Sequence, residues 1–162
     1  MQPVVLDTDV ASLLQRRKLT GPVATRLVGL EPLITFVTFG ELTKWAEIRH
    51  WGSWRREELA EWLSGIPVLP GDEAVGAVWG RLSAAAFQRG RPRPVNDMWI
   101  AACCLTHEVP LSTLNLKDYE ETIEMPPRSF RPGLMSRQAN SLPALHGASC
   151  RSGQAAIVAG WA

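Results

Sequence analysis

The chain has 162 residues, 46% hydrophobic and 20% charged, with 17 Lys plus Arg against 16 Asp plus Glu and a formal charge of +1. That length suits one domain with its own core, and the balanced charge excludes a polyanion binder held by bulk charge. No apolar run approaches the roughly 18 residues of a membrane span, and the three cysteines have no zinc or disulfide-framework spacing. The opening MQPVVLDTDV has no basic stretch leading into a long apolar run, so no secretory signal is expected. Cys103 and Cys104, adjacent in an apolar segment, read as small buried thiols of a cytoplasmic protein.

In chain order, Val4–Asp7 is a short apolar strand that ends in a carboxylate. Val10–Arg17 and Val23–Leu30 read as short amphipathic helices, the second opening after Gly21-Pro22. Leu33–Val37 is a strand preceded by Pro32. Thr38 to about His50 is a helix carrying Phe39, Leu42, Trp45, Ala46 and Ile48. Trp54–Leu63 is another helix, and Ile66–Leu69 a brief strand. Glu73–Gln88 is a long helix with Ala74, Val75, Val78, Leu82, Ala85 and Ala86 along one side. Val95–His107 is a further helix, followed by the strand Pro110–Thr113. Strands alternating with helices predict an α/β fold, a parallel sheet with helices on both faces. Residues 1–119 hold 13 basic and 13 acidic side chains, whereas residues 120–162 hold 4 and 3, with no acid after Glu124. The final stretch is rich in Ser, Gly, Ala and Pro, and AAIV is its apolar segment. A compact domain over residues 1–125 and a poorly ordered tail over 126–162 are therefore expected.

Asp7 and Asp9 stand at the carboxyl end of the first strand, and Glu41 opens the helix after the second. Asp97 lies in the first turn of its helix, and Asn115 and Asp118 follow the strand that ends at Thr113. Ligands of an open parallel sheet gather beyond the carboxyl ends of its strands, so these groups are placed to converge on one cleft. Each also has a local explanation. Thr38-Phe39-Gly40-Glu41 matches a capping box, Asn96 is a good N-cap with Asp97 beside it, and Asn115 to Asp118 reads as a cap with a first-turn acid. Asp7 or Asp9 equally suits the cap of the first helix. The joint occurrence at strand ends is what favours a site. Carboxylates without His or Cys suit Mg²⁺ or Mn²⁺, and such an ion promotes attack of water on a phosphodiester.

LDTDVASLL, TFVTFGELTKWA and PVNDMWIAACCLTHEVPLSTLNLKDYE resemble, in order and spacing over residues 4–119, the sequence blocks of PIN-domain ribonucleases, above all the VapC toxins of bacterial VapBC toxin–antitoxin pairs. The resemblance implies a PIN-like three-layer α/β/α fold with a central parallel sheet. It also implies a Mg²⁺- or Mn²⁺-dependent endoribonuclease that acts as a toxin. Position by position, Asp7, Glu41 and Asp97 fall on the three core acidic metal ligands. Asn115 falls on a fourth position that is acidic in many members, and Asp118 is the nearby acid that supplies the charge. Thr8 and Thr113 match supporting polar positions, Asp9 adds an acid where Asn or Ser is frequent, and Tyr119 stands where Phe is usual. A short final strand normally follows this block closely, but MPPRSFRPG cannot be a central strand, so the last strand is missing or replaced here. The implied partners are an RNA substrate, a cognate antitoxin laid over the cleft and a second copy in a homodimer, with no membrane.

Arg89, Arg91 and Arg93 lie just before Asp97, either to hold RNA phosphates or as a solvated basic loop. Arg16, Arg17 and Lys18 read as a solvated helix end. Trp45, Trp51, Trp54 and Trp62 crowd the middle helices, as core, as base-stacking platforms or as the antitoxin groove. Two other functions compete. Asp7 and Asp9 imitate the D-x-D of a phosphatase whose first Asp is a nucleophile, although Ala11 stands where that motif wants Thr or Val. A catalytically degenerate PIN fold that only binds antitoxin or RNA is the other, supported by Asn115 and the unusual tail.

Overall fold

In the computed structural model, which describes residues 1–116, Tyr119 and Ile157–Ala159, the strand rich in Val and Leu at the N-terminus is central. Strand β1 (Gln2–Leu6) buries Val4, Val5 and Leu6 completely. A strand alternates its side chains between faces, so burial of consecutive residues requires a helical layer on each side. Val4 and Leu6 join Ile34, Val10, Ala11, Leu42, Ala46 and Leu59 in one cluster, while Val5 and Leu33 join Val75, Leu82, Ile100 and Leu111 in the other.

Around β1 the chain runs α1 (Thr8–Gln15), α2 (Gly21–Leu27), β2 (Leu30–Thr35), α3 (Phe36–Ile48), α4 (Ser53–Gly65), β3 (Val68–Leu69), α5 (Glu73–Gln88), α6 (Val95–His107), β4 (Leu111–Thr113) and β5 (Ile157–Ala159). The strands are parallel in the order β3-β2-β1-β4-β5. This is the expected three-layer α/β/α arrangement. Beyond β3 the chain returns to the other flank of β1, which makes the gap between β1 and β4 a topological switch point, where open α/β sheets bind ligands.

The second strand lies earlier than the sequence pattern indicates, with Pro32 inside it. Pro32 is opposite Val4 of β1, and β3 pairs with β2 only at Ile34 and Thr35. The missing N–H of Pro32 therefore costs no ladder bond on the β3 side. Helix α3 consequently starts at Phe36, with Thr35 as its N-cap. The expected boundary at residue 125 and the segments 126–156 and 160–162 lie outside the described residues. Ile157 and Val158 of the AAIV stretch and Ala159 after it pair with Leu111, Ser112 and Thr113, so the place beside β4 is filled from far along the chain. Among the described residues no helix is long and apolar enough to cross a membrane.

Candidate active site

Three helices begin where a strand or turn leaves a hydrogen-bond acceptor at the cap. Asp7 directly follows β1, and its Oδ1 accepts the Val10 N–H at 2.8 Å to start α1. Thr35 ends β2 and accepts the Thr38 N–H at 3.2 Å to start α3. Asp72 accepts the Val75 N–H at 3.0 Å to start α5. Asp7 is thus both a cap and, at 5% exposure, a buried carboxylate at the switch point. Its second oxygen accepts a hydrogen bond from the Thr113 hydroxyl at the end of β4. That hydroxyl in turn accepts the Asn115 N–H at 3.0 Å. Burial pushes the Asp7 carboxyl up to about 6 against the hydrogen bonds from Thr113 and Val10, and the charges of Asp9 and Asp97 push the same way.

Glu41 is in the second turn of α3, not at its start. The capping-box reading fails because the hydroxyl of Thr35, three residues before Thr38, already caps the helix. Glu41 Oε2 accepts from the Thr8 hydroxyl, and Oε1 accepts from the Asn96 side-chain amide at 2.6 Å. Asn96 is therefore no cap: Pro94 holds that position, its carbonyl accepting the Met98 N–H at 3.1 Å. Asp97 follows in the first turn of α6, and Oδ1 accepts the Tyr119 hydroxyl at 3.3 Å. Burial first, then the charges of Asp97 and Asp7, drives the Tyr119 hydroxyl far up, which keeps it a donor. Thr38, fully buried, sits 3.4 Å from the hydroxyls of both Thr8 and Thr35. The structure so brings together Asp7, Glu41, Asp97, Thr8 and Thr113, with Asp9 exposed beside them.

The expected acid Asp118 lies outside the described residues. Asn115 is exposed after β4 and touches the cluster through its backbone. Arg89, Arg91 and Arg93 lie in or beside the connection from α5 to α6, Arg89 and Arg91 exposed and Arg93 half-buried. Trp51 and Trp62 pack partly against the core, whereas Trp45 and Trp54 are 40% and 73% exposed. A groove of about 400 Å³ runs between α3 and α4, lined by Phe39, Ala46, Arg56, Leu59 and Leu63. The roles of Thr35, Thr38, Asn96 and Tyr119 escaped sequence reasoning, as did the stacking of Trp79 on Trp99, whose rings lie 4.6 Å apart at 8°. Cys103 and Cys104 are buried free thiols, Cys103 pushed up to about 12 by burial, so neither is a nucleophile.

Among the described residues no three His, Cys, Asp or Glu side chains group closely enough to form a complete metal cage. Mg²⁺ does not ask for one. It commonly takes one or two carboxylates and completes its shell with water and substrate phosphate. Two neighbouring carboxylates, Asp7 and Asp97, whose like charges disfavour ionisation of Asp7, fit that demand.

The PIN-domain family pattern matches residues 4–119. Ribonuclease VapC1 of Haemophilus influenzae strain R2866 is 27% identical over 129 residues, covering 75% of this chain and 92% of that protein. In three dimensions the chain resembles VapBC-1 from nontypeable Haemophilus influenzae, with a TM-score of 0.64 and 23% identity over 76% of this chain and 95% of that one. FitAcB from Neisseria gonorrhoeae gives 0.63 and 22% identity over 74% and 92%. The pattern spans β1 to Tyr119 and every one of these site residues that the structure describes, and the chain belongs to the PIN-domain family.

Proposed function

We propose that this protein is a VapC-type endoribonuclease, the toxin of a toxin–antitoxin pair, acting in the cytoplasm on RNA phosphodiesters with Mg²⁺ or Mn²⁺. The observation that carries the reading is the convergence of Asp7, Glu41 and Asp97 at the switch point, each oriented by a neutral donor: Thr113, Thr8 with Asn96, and Tyr119. Asp7 and Asp97 would hold the ion. When bound, the ion polarises a phosphoryl oxygen and lowers the pKa of the attacking water. Glu41, with both oxygens already engaged, acts from beside them by adding negative charge and fixing the position of Thr8 and Asn96. In this reading Asn115, exposed after β4, borders the site, Asp118, three residues on in the sequence, supplies charge, and Arg89, Arg91 and Arg93 steady the RNA backbone.

The relatives carry the names of a ribonuclease and of a toxin–antitoxin system, and in the proposal this chain takes RNA as substrate, an antitoxin in the α3–α4 groove, and a second copy as partners. The family match over residues 4–119 leaves the D-x-D phosphatase without support. Purified protein should cleave single-stranded RNA in Mg²⁺ and stop in EDTA. Asp7→Asn and Asp97→Asn should remain folded, lose cleavage, and relieve the growth arrest caused by expression without antitoxin. Cleavage that persists in EDTA, or in both variants, refutes the assignment.

A further inference from the structure

Beside the acids, α1 and α3 enclose a second cavity of about 200 Å³. It is smaller than the roughly 300–1,000 Å³ of pockets that engulf a whole small ligand, so it suits one part of a larger molecule. Thr8 and Asp9, the two residues after Asp7, line it, which joins it to the carboxylate cluster. Arg16 and Arg49 line it as well, and Trp45 and Trp51 add aromatic walls. The sequence pattern makes Arg16 a solvated helix end. Instead it is half-buried, with Nε donating to the Ser12 carbonyl at 3.0 Å. The Arg49 guanidinium lies over the Trp45 ring, 4.4 Å from its centroid.

These features match the parts of a nucleotide. An indole offers a stacking surface for a base, and Arg stacked on an aromatic ring keeps its N–H edge for a phosphate. Asp9 and Ser12 supply polar atoms for the edge of a base. We infer that this cavity is the subsite for the nucleotide next to the scissile bond, its base against Trp45 and its phosphate on Arg16 and Arg49. The inference rests on the ribonuclease reading and adds to it the residues that grip a single-stranded RNA on one side of the cut.

The test measures binding and cleavage separately on the full chain. Anisotropy of a labelled single-stranded RNA octamer in EDTA, over a salt series, reads binding without cleavage. Arg16→Gln and Arg49→Gln should each lower the slope of log affinity against log salt by about 0.7, the value for one lost phosphate contact on a single strand. Trp45→Ala should weaken binding on the order of tenfold with the slope unchanged, and Trp45→Phe should restore most of it. In Mg²⁺ the same variants should raise KM and leave kcat near the parent. If the parent cleaves RNA but the variants match it in affinity, slope and KM, the subsite is wrong and the nuclease reading stands. If the parent shows these binding dependences but no cleavage in Mg²⁺, the nuclease reading fails and the cavity remains an RNA-binding site. Variants that keep parental RNA binding but lose affinity for the cognate antitoxin assign the cavity to a protein segment and overturn the subsite. No RNA binding by the parent under either condition overturns both.

Discussion

Asp7 carries conflicting demands. As a helix cap and as the acceptor from Thr113 it is well satisfied, yet burial holds its carboxyl at about 6 against a reference of 3.8. Between those values the unfolded chain gives up the proton while the folded one keeps it. The metal-free protein therefore loses stability as pH rises from 3.8 to 6, by about 3 kcal/mol at 1.36 kcal/mol per unit. Asparagine at this position removes the charge and can still accept from Val10 and pair with Thr113. Asp7→Asn should accordingly stabilise the metal-free protein by about 2 kcal/mol at pH 7.5 and by almost nothing at pH 4, measured by urea unfolding. Destabilisation at pH 7.5 would show that the carboxylate is better accommodated than its burial indicates. Tyr119→Phe removes the hydroxyl that holds Asp97 Oδ1. Loss of such an outer hydrogen bond to a ligand should raise the Mg²⁺ needed for half-maximal cleavage by roughly tenfold. Calorimetry of Mn²⁺ binding should follow the same shift, and an unchanged affinity would reduce Tyr119 to a packing residue.

Helix starts explain what was legible in the sequence and what was not. Bounds of α5 and α6 agree with the pattern because Asp72 and Pro94 each precede a long apolar periodicity. For α3 the pattern offers two threonines three residues apart, and only the pairing of Ile34 and Thr35 with β3 decides for Thr35. That choice moves Glu41 from a capping position into the site. Asp7, Glu41 and Asp97 stood out in the sequence as candidates because each lies near the end of a strand or the start of a helix. Asn96 was not, since its partner Glu41 is 55 residues away and the local pattern favours a cap. The same α3 start places Phe36 edge-on to Trp99, with ring centroids 5.9 Å apart. A Cβ on Gly71, in the turn before α5, would lie 2.4 Å from the Phe36 ring. Gly71→Ala should thus displace Phe36 from Trp99, cost about 1 kcal/mol, and change the tryptophan fluorescence. Unaltered fluorescence and melting temperature would mean that the turn itself yields.

Across the described residues, β1 sits in the middle of five parallel strands, with β2 on one flank and β4 on the other. On one flank the three-residue β4 carries Thr113, and Thr113 is in register with Ala159 of β5. A chain shortened to end at residue 150 would leave that side of β4 unpaired. It should melt several degrees lower, scatter light on warming as open strand edges associate, and cleave RNA more slowly. An unchanged melting curve would detach β5 from the stability of the site. Asp7 and the threonine that steadies it are also separated by 106 residues, a gap that a ribosome moving at about 5–20 residues per second takes roughly 5–20 s to cross. Over that interval Asp7 has emerged without Thr113 to receive it, and for most of it Asp97 has yet to be made. Synthesis order thereby sets a delay within each copy: a half-made chain has no assembled acid cluster, so the activity proposed above arises in that copy only when its own translation is nearly over.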